Sequence, residues 1–269
     1  MDKKKFSMGK YAMIMVFVLI FIIFSIAAPN FLTASNLFTV AKQIAVLGIC
    51  ACGMTIVMVS GGIDLTMGWH ISLANVVCAK LMVDFGLSPW LACILVLIEG
   101  ILLGALLGIL VIKTKVVPLI ICLGMLNILN GTSFIVSKGM PIFGFPKSFG
   151  VIGRGYVFKV VPVSMVIMIV VFIVAGIFLK HTYIGRYFYA VGSNTEAAKL
   201  SGIDVDKTKL LAYIICGFLT ALGAIILLSR TNSGISANGD GFEFDVVTAC
   251  VLGGVSAAGG KGTIGNTLT

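Results

Sequence analysis

Long apolar runs, separated only by short polar or Gly/Pro-containing breaks, constrain this 269-residue chain more than any other feature. A helix that spans a bilayer needs about 20 mostly apolar residues, and the helix satisfies its own backbone polar groups where lipid cannot. We predict eight spans, at residues 12–28, 38–59, 69–85, 90–112, 117–137, 161–180, 209–229 and 245–258, the last of them short. The expected fold class is an all-α, polytopic integral membrane bundle.

Composition excludes a water-soluble protein of this length. Hydrophobic residues make up 59% of the chain and charged residues 11%, against about 45–50% and about 25% in soluble proteins. The seven cysteines lie in apolar runs without metal-site spacing, so we interpret them as packing residues and expect no metal site. Neither a His-Glu-x-x-His nor a Gly-x-Ser-x-Gly motif is present, so we expect no enzymatic activity.

The net charge of +9 predicts membrane orientation and not a nucleic-acid partner. The Lys and Arg residues lie in short loops between apolar runs, and no nucleic-acid-binding signature accompanies them. With the N-terminus in the cytoplasm, the segments on that side hold twelve of the 19 Lys and Arg residues, and the outer segments hold five. This excess of positive charge predicts a cytoplasmic N-terminus.

The fourth span carries a glycine ridge and a carboxylate. Gly100, Gly104 and Gly108 are four residues apart, a spacing that allows another helix to approach closely, so we assign them to helix packing. Glu99 lies at middle depth, where an ionised carboxylate costs roughly 2.5 kcal/mol or more. We therefore expect Glu99 to face a partner or a polar cavity, or to be protonated.

The segment between the second and third spans contains Gly61, Gly62 and Asp64. The glycine pair breaks the preceding helix, and Asp64 is placed to cap a helix whose first turn opens at Met67. One interpretation is a tight turn between two spans. The other is a broken helix near a transport path, because glycine-interrupted segments of membrane proteins often line a binding site. The sequence does not separate these two.

The longest predicted cytoplasmic connection, residues 181–208, contains a short helix. Ser193 and Glu196 have capping-box spacing, in which each side chain satisfies the backbone amide of the other. Residues 197–200 propagate the helix, and Gly202 is placed to end it. A plain solvated loop does not need such caps, whereas a docking element that transmits force does.

Residues 252–263 contain Gly253 and Gly254, followed by further glycines around Lys261. They do not match a phosphate-binding loop, because Val255 and Gly262 stand where a Gly and a Ser or Thr are required. We predict close helix packing at Gly253 and Gly254, or another interrupted span.

Asn127 and Asn130 are polar residues within the fifth span. Three residues apart, they share one face of the helix and are the best polar candidates to line a pathway. Hydrogen bonds between packed helices explain them as well.

Three segments together resemble the permease subunits of ribose- and galactoside-type ATP-binding cassette importers. They are Gly61 to Leu65, the stretch from Gly185 to Ile203 that includes Tyr189-Ala190-Val191-Gly192-Ser193-Asn194-Thr195-Glu196, and Val251 to Gly262. The segments occur in the order found in the family, and the similarity extends from about Asn30 to the last residue.

The resemblance implies a type II importer in the bacterial cytoplasmic (inner) membrane. A second permease subunit, identical or different, completes the pathway, two cytosolic ATPase subunits bind ATP, and an extracytoplasmic sugar-binding protein delivers a ribose- or galactose-like monosaccharide. The permease itself then needs no cofactor. The residues that match the family's coupling helix for the ATPase are Gly192, Ser193, Asn194, Glu196, Ala197, Ala198, Leu200 and Gly202.

Family members usually continue beyond the glycine-rich segment around Lys261 for about two further spans. We therefore expect residues 1–269 to form a single permease domain with about eight spans of an expected ten.

A self-powered, ion-coupled transporter or channel is the alternative function. It requires an intramembrane set of ionisable groups for ion coupling or proton relay. The candidates in this sequence are Asp64, Glu99 and His70, which is a small set.

Overall fold

A computed structural model describes residues 8–114, 116–158 and 160–267. These residues belong to two compact units, residues 1–41 and residues 42–269. The helices in chain order are α1 (Met8–Ala27), α2 (Ala34–Val59), α3 (Met67–Val83), α4 (Pro89–Thr114), α5 (Pro118–Ser137), α6 (Gly150–Arg154), α7 (Val163–His181), α8 (Tyr183–Ser193), α9 (Thr195–Leu200), α10 (Val205–Thr231), α11 (Phe242–Leu252) and α12 (Ile264–Thr267). A 3-10 turn (Lys147–Phe149) precedes α6, and strands β1 (Tyr156–Val157) and β2 (Val161–Pro162) pair antiparallel.

Five helices of the described chain, α2, α4, α5, α7 and α10, are long and apolar enough to cross a membrane. Residues 15–27 and α3 form shorter apolar helices. The first seven predicted spans agree with the observed helices to within four residues at each end. The eighth was predicted wrongly at its end, because α11 stops at Leu252 and not at residue 258. The number of spans, eight, stays a prediction.

Residues 1–41 contain α1 and the start of α2, joined by a turn around Phe31. The ring of Phe31 lies edge-on to Phe21 at 5.3 Å and stacks on Phe24 at 5.8 Å. The side-chain amide of Asn36 donates a hydrogen bond to the Phe31 carbonyl at 2.8 Å. The apolar turn is therefore held by aromatic contacts and by one polar side chain from the following helix.

The packing of α4 against α10 forms the centre of residues 42–269. A Cβ on Gly104 would overlap with the backbone carbonyl oxygen of Tyr213, and a Cβ on Gly100 would lie 2.6 Å from the carbonyl oxygen of Gly217. A Cβ on Gly108 would lie 3.0 Å from Leu210 Cδ1 and 3.2 Å from Tyr213 Cβ. The ridge of glycines predicted to admit a neighbouring helix therefore faces α10, and the two backbones are in direct contact.

Helices α2 and α3 complete this core. From Ala45 to Val59, α2 is largely buried, and almost every residue of α3 from Met67 to Ala79 is buried as well. By contrast, α4, α5 and α7 each have an outward face of exposed apolar residues, such as Leu102, Ile128 and Ile173. Such faces suit contact with lipid or with another subunit.

The segment between α10 and α11 is held against α3. The Asn75 side-chain oxygen accepts a hydrogen bond from the Ile235 amide at 3.2 Å, and the Ser72 hydroxyl accepts one from the Gly239 amide at 2.9 Å. Near β1, the Lys42 ammonium donates to the Tyr156 hydroxyl at 2.9 Å and lies 4.3 Å from the centre of its ring. Side chains of α3 thus hold the segment between α10 and α11, and a side chain of α2 holds β1.

We predict that Gly104→Ala destabilises the protein, because the added methyl group would collide with the Tyr213 backbone, which cannot rotate away. Overpacking of this kind costs about 1–3 kcal/mol. The measurement is the temperature at which the detergent-solubilised protein loses its monodisperse size-exclusion peak. Gly176→Ala is the matched control, since a Cβ at Gly176 has no atom within 4 Å. Loss of the monodisperse peak at the same temperature in both variants would contradict the prediction.

Candidate functional site

Two short helices, α8 and α9, connect α7 to α10, and each has a side-chain cap. The Thr182 hydroxyl accepts a hydrogen bond from the Gly185 amide at 3.0 Å, and the Asn194 side chain accepts one from the Ala197 amide at 2.9 Å. The predicted cap at Ser193 is wrong. Ser193 is the last residue of α8, and Asn194 caps α9 because its backbone is extended, with φ −158° and ψ 104°.

Gly202 ends the chain of helical hydrogen bonds after α9, as predicted. Its φ of +81° lies in the left-handed region, which glycine enters without a Cβ clash. The Gly202 amide donates to the Lys199 carbonyl at 3.0 Å, and the Ile203 amide donates to the Ala198 carbonyl at 3.1 Å. This pair of bonds is a Schellman motif, which fixes the direction in which the chain leaves α9.

The following helix begins with a charged cap. Asp204 accepts a hydrogen bond from the Lys207 amide at 3.0 Å, and the two side chains form an ion pair at 2.9 Å. The Lys207 amide and ammonium together hold the pKa of Asp204 below its usual range. Because both ends of the short connection from α9 to α10 are capped, α9 is held in a fixed position relative to α10.

One face of α9 is open. Glu196, Ala197, Lys199 and Leu200 are exposed, whereas Ala198 is buried against the rest of the chain. Leu200 has 89% of its surface exposed, although it is apolar. The open face therefore offers one large apolar side chain beside charged ones, a combination suited to a partner's groove.

Residues 60–66 form a non-helical break between α2 and α3. Ser60, Asp64, Leu65 and Thr66 are buried, so this segment lies within the helix bundle. Gly61 has a φ of +82°, which turns the chain at the end of α2. The burial of Asp64 is compatible with both interpretations left open by the sequence, a tight turn between two spans and a broken helix near a transport path, so both stay predictions.

Asp64 has a different role from the predicted one. Its Oδ1 accepts hydrogen bonds from the Thr66 amide at 2.9 Å and the Thr66 hydroxyl at 2.6 Å. The N-cap residue of α3 is Thr66, so the prediction of Asp64 at the N-cap is wrong, although α3 does begin at Met67. The Cys216 thiol of α10 donates to Oδ2 at 3.5 Å. Asp64 therefore links the break to α10.

A second polar pair lies beside the break. His70 Nε2 on α3 and Glu99 Oε2 on α4 are 3.5 Å apart, an ion pair when His70 is protonated. Within the described residues, neither Glu99 oxygen has an aligned hydrogen bond. Asp64, Thr66 and His70 also line a narrow cavity that α4 and α5 close on the other side. Glu99 thus faces His70, one of the arrangements predicted for it.

The remaining predicted residues lie elsewhere. The Asn127 amide donates to the Leu123 carbonyl of its own helix at 2.8 Å and is exposed, and Asn130 is half-buried. Gly253 and Gly254 lie at the end of α11, where Gly254 has a φ of +88°. They end α11, and both predictions made for them, close helix packing and an interrupted span, stay predictions.

Three motifs recognised separately in the sequence meet in space. A Cβ on Gly61 would lie 3.5 Å from the Cα of Gly192, and the Gly260 amide donates to the Val59 carbonyl at 3.0 Å. The Tyr189 hydroxyl donates to the Gly262 carbonyl at 2.7 Å. The break, the end of α8 and the glycine-rich segment therefore form one contiguous region, whereas Asn127 and Asn130 do not belong to it.

Two tyrosines important to this region were not predicted. Tyr213 on α10 donates to the Ile63 carbonyl at 3.2 Å, and Tyr189 on α8 donates to the Gly262 carbonyl at 2.7 Å. Partial burial raises the pKa of Tyr189 above its usual range. A tyrosine in an apolar helix requires a hydrogen-bond partner when buried, and this was the available signal. Within the described part of the chain, no group of three or more His, Cys, Asp or Glu residues could hold a metal ion.

Comparison with known proteins identifies the family. The model for the permease component of the branched-chain amino acid transport system matches residues 36–265. The chain belongs to this family of transport permeases. Family members are membrane transport components and not enzymes, and membership implies ATPase and solute-binding-protein partners. It gives no support to a self-powered carrier.

Individual members of the permease family match nearly the whole chain. The ribose import permease protein RbsC of Escherichia coli K12 is 39% identical over 98% of this chain and 83% of that protein. RbsC of Bacillus subtilis 168 is 38% identical over 94% and 78%. The L-arabinose transport system permease protein AraH of Escherichia coli K12 is 35% identical over 97% and 80%. No solved structure is a significant match.

We predict that Asn194→Ala frays α9, whereas Ser193→Ala leaves its start intact, because Asn194 is the cap. Loss of an N-cap costs about 1 kcal/mol, so amide exchange in residues 195–200 should become about fivefold faster. Hydrogen–deuterium exchange of the detergent-solubilised permease measures this rate. Asn194→Ser should restore slow exchange, since Ser caps almost as well as Asn. Faster exchange in Ser193→Ala alone would contradict the assignment.

Proposed function

We propose that this protein is the membrane-spanning subunit of an ATP-driven importer for a monosaccharide of the ribose or galactose type. The observation that carries the proposal is the 39% identity to a ribose import permease over 98% of the chain. A permease named for L-arabinose, another pentose, is also similar over 97% of the chain. The subunit performs no chemistry of its own. It converts movements of its partner ATPase into alternating access across the membrane.

A branched-chain amino acid is the second candidate solute, because the family description names that transport system. We favour the monosaccharide, since the individual relatives with sugar names align over more of the chain than the family model does.

We assign α9 to the docking of a cytosolic ATPase subunit. Its exposed Leu200 supplies an apolar contact, and Glu196 and Lys199 supply charges at the edge of that contact. The caps at Asn194 and Gly202 keep the helix rigid enough to be displaced as a unit. The same assignment places the sugar-binding protein at the opposite membrane surface.

Contacts between distant segments support the proposed topology, whereas the orientation, with the N-terminus in the cytoplasm, rests on the excess of positive charge. With the N-terminus in the cytoplasm, the order of the predicted spans puts residues 60–68, 180–209 and 258 onward on the cytoplasmic side, and these segments contribute Gly61, Gly192 and Gly260 to one region. Segments assigned to the same side of a membrane are expected to be neighbours in space. The location that we propose is the bacterial cytoplasmic membrane.

We assign the outward face of α5 to the wall of the solute pathway, which a second permease subunit completes. A Cβ on Gly124 or Gly131 would have no atom within 4 Å, so this face is open. Asn127 lies between these glycines and is the polar group available to a sugar hydroxyl. The open face thus combines small residues, which permit close approach, with an amide.

We predict that Leu200→Asp and Glu196→Lys each reduce solute uptake about tenfold or more, because single side chains often carry much of the binding energy of an interface. Uptake is measured in membranes that contain the permease, its ATPase and its binding protein. The amount of inserted permease should not change, since both side chains are exposed. Leu200→Met is the control and should retain uptake. Full uptake by Leu200→Asp would exclude α9 from docking.

We predict that the reconstituted importer accumulates ribose or galactose in an ATP-dependent manner and does not accumulate leucine. The measurement is uptake of radiolabelled solutes by proteoliposomes that contain the cognate binding protein. Uptake of L-arabinose, measured in the same way, shows whether the importer accepts a second pentose. Uptake of leucine without uptake of any sugar would favour the branched-chain amino acid.

A further inference from the structure

Three stretches of backbone touch one another where the break meets the end of α8. A Cβ on Gly192 would overlap with the carbonyl oxygen of Val59 and would lie 2.7 Å from the amide nitrogen of Gly260. A Cβ on Gly259 would lie 2.7 Å from the carbonyl oxygen of Gly192. We call the set Val59, Gly61, Gly192 and Gly260 the glycine junction.

Hydrogen bonds close the glycine junction on two sides. The Gly260 amide donates to the Val59 carbonyl at 3.0 Å, and the Tyr189 hydroxyl donates to the Gly262 carbonyl at 2.7 Å. Closely packed groups have discrete arrangements and do not deform continuously, so a shift at one is passed to its neighbours. At the junction, the groups in contact are backbone atoms, which have no side-chain rotamers to absorb a displacement.

The junction continues directly into the buried break. Gly61 is three residues before Asp64, and the carbonyl of the intervening Ile63 accepts hydrogen bonds from the Tyr213 hydroxyl at 3.2 Å and the Cys122 thiol at 3.4 Å. These contacts tie the break to α10 and α5. A displacement of Gly61 would therefore alter the contacts of Ile63 and Asp64 before those of more distant residues.

We propose that the glycine junction transmits movement of α8 and α9 to the break, and so changes the position of Asp64 between α4, α5 and α10. The proposal rests on the proposed docking of α9 to an ATPase and concerns the step that follows docking. Gly61, Gly192 and Gly260 act as positioning residues in it, since none of them touches the solute. Their lack of side chains is what makes the linkage stiff.

The natural thiol of Cys122 is a reporter of the break, because it contacts Ile63. In the full importer complex, Cys216 is replaced by Ser, which keeps a hydroxyl donor for Asp64, and the other five cysteines are replaced by Ala or Ser. The rate of Cys122 labelling by N-ethylmaleimide is then measured without nucleotide and with a non-hydrolysable ATP analogue. We expect the nucleotide to change this rate about fivefold or more, because a coupling of about 1 kcal/mol between two sites changes the population of the conformation in which Cys122 is accessible by that factor.

Gly192→Ala should abolish this change, because the methyl group separates α8 from Val59. Co-purification of the ATPase should persist: the structure places Gly192 in α8 and not in α9, the helix assigned to docking, so α9 keeps its caps and its exposed face. Gly176→Ala, at a position with open space around it, should behave like the parent chain. A full nucleotide response in Gly192→Ala would overturn the proposal. So would loss of the ATPase from that variant, because the glycine would then shape the docking surface.

If Gly192→Ala does not accumulate in membranes, Tyr189→Phe tests whether the junction transmits movement. It removes only the hydroxyl that bonds Gly262, so the chain should fold, and the nucleotide response should fall about two- to fivefold. The matched control is Tyr187→Phe, which removes a hydroxyl from an exposed position on the same helix. Equal responses in the two variants would overturn the proposal.

Measurements on the parent chain, which carries none of the glycine or tyrosine substitutions, distinguish failure of this proposal from failure of the proposed function. If solute uptake depends on the ATPase but Cys122 labelling does not respond to nucleotide, the importer function stands and transmission through the junction is wrong. If the ATPase does not bind the parent chain at all, the proposed function itself fails.

Discussion

The direct backbone contact between α4 and α10 is the interaction on which residues 42–269 depend. Lipid offers little hydrophobic drive for two apolar helices to associate, so close van der Waals contact between small residues must supply it. Gly100, Gly104 and Gly217 provide this contact. It also fixes the face of α10 that carries Tyr213 and Cys216, and these two side chains hold the break at Ile63 and Asp64. The packing of one helix pair therefore determines where the buried polar groups lie.

Non-helical backbone inside a membrane protein is tolerated only where protein groups satisfy it. The break meets this requirement in two ways. Thr66 donates hydrogen bonds to the Asp64 carboxylate, and Tyr213 and Cys122 from distant helices donate to the Ile63 carbonyl. Because its polar groups are satisfied from several helices, the break is stable in place and yet sensitive to the movement of each neighbour. These two properties suit the role that we propose for the break, as the element that responds to movement of α8 and α9.

Periodicity and apolar length predicted the helices, because each is a local property of the sequence. The cap of α9 was predicted one residue too early, since Ser193 and Asn194 are both competent caps and only the backbone conformation selects between them. The meeting of Gly61, Gly192 and Gly260 was not predicted, because sequence spacing carries no information on contacts between segments so far apart. For α11, the glycine pair Gly253-Gly254 was visible, but a run of apolar and small residues continued past it.

The bond between Asp64 and Cys216 has a consequence for biosynthesis. The two residues are separated by 152 positions in the chain. At a translation rate of about 5–20 residues per second, the ribosome adds Cys216 roughly 8–30 s after Asp64. Before then, of the bonds described for this carboxylate, only those from Thr66 can form. The bonds that hold the break to α10 therefore form only after the residues of α10 have been synthesised.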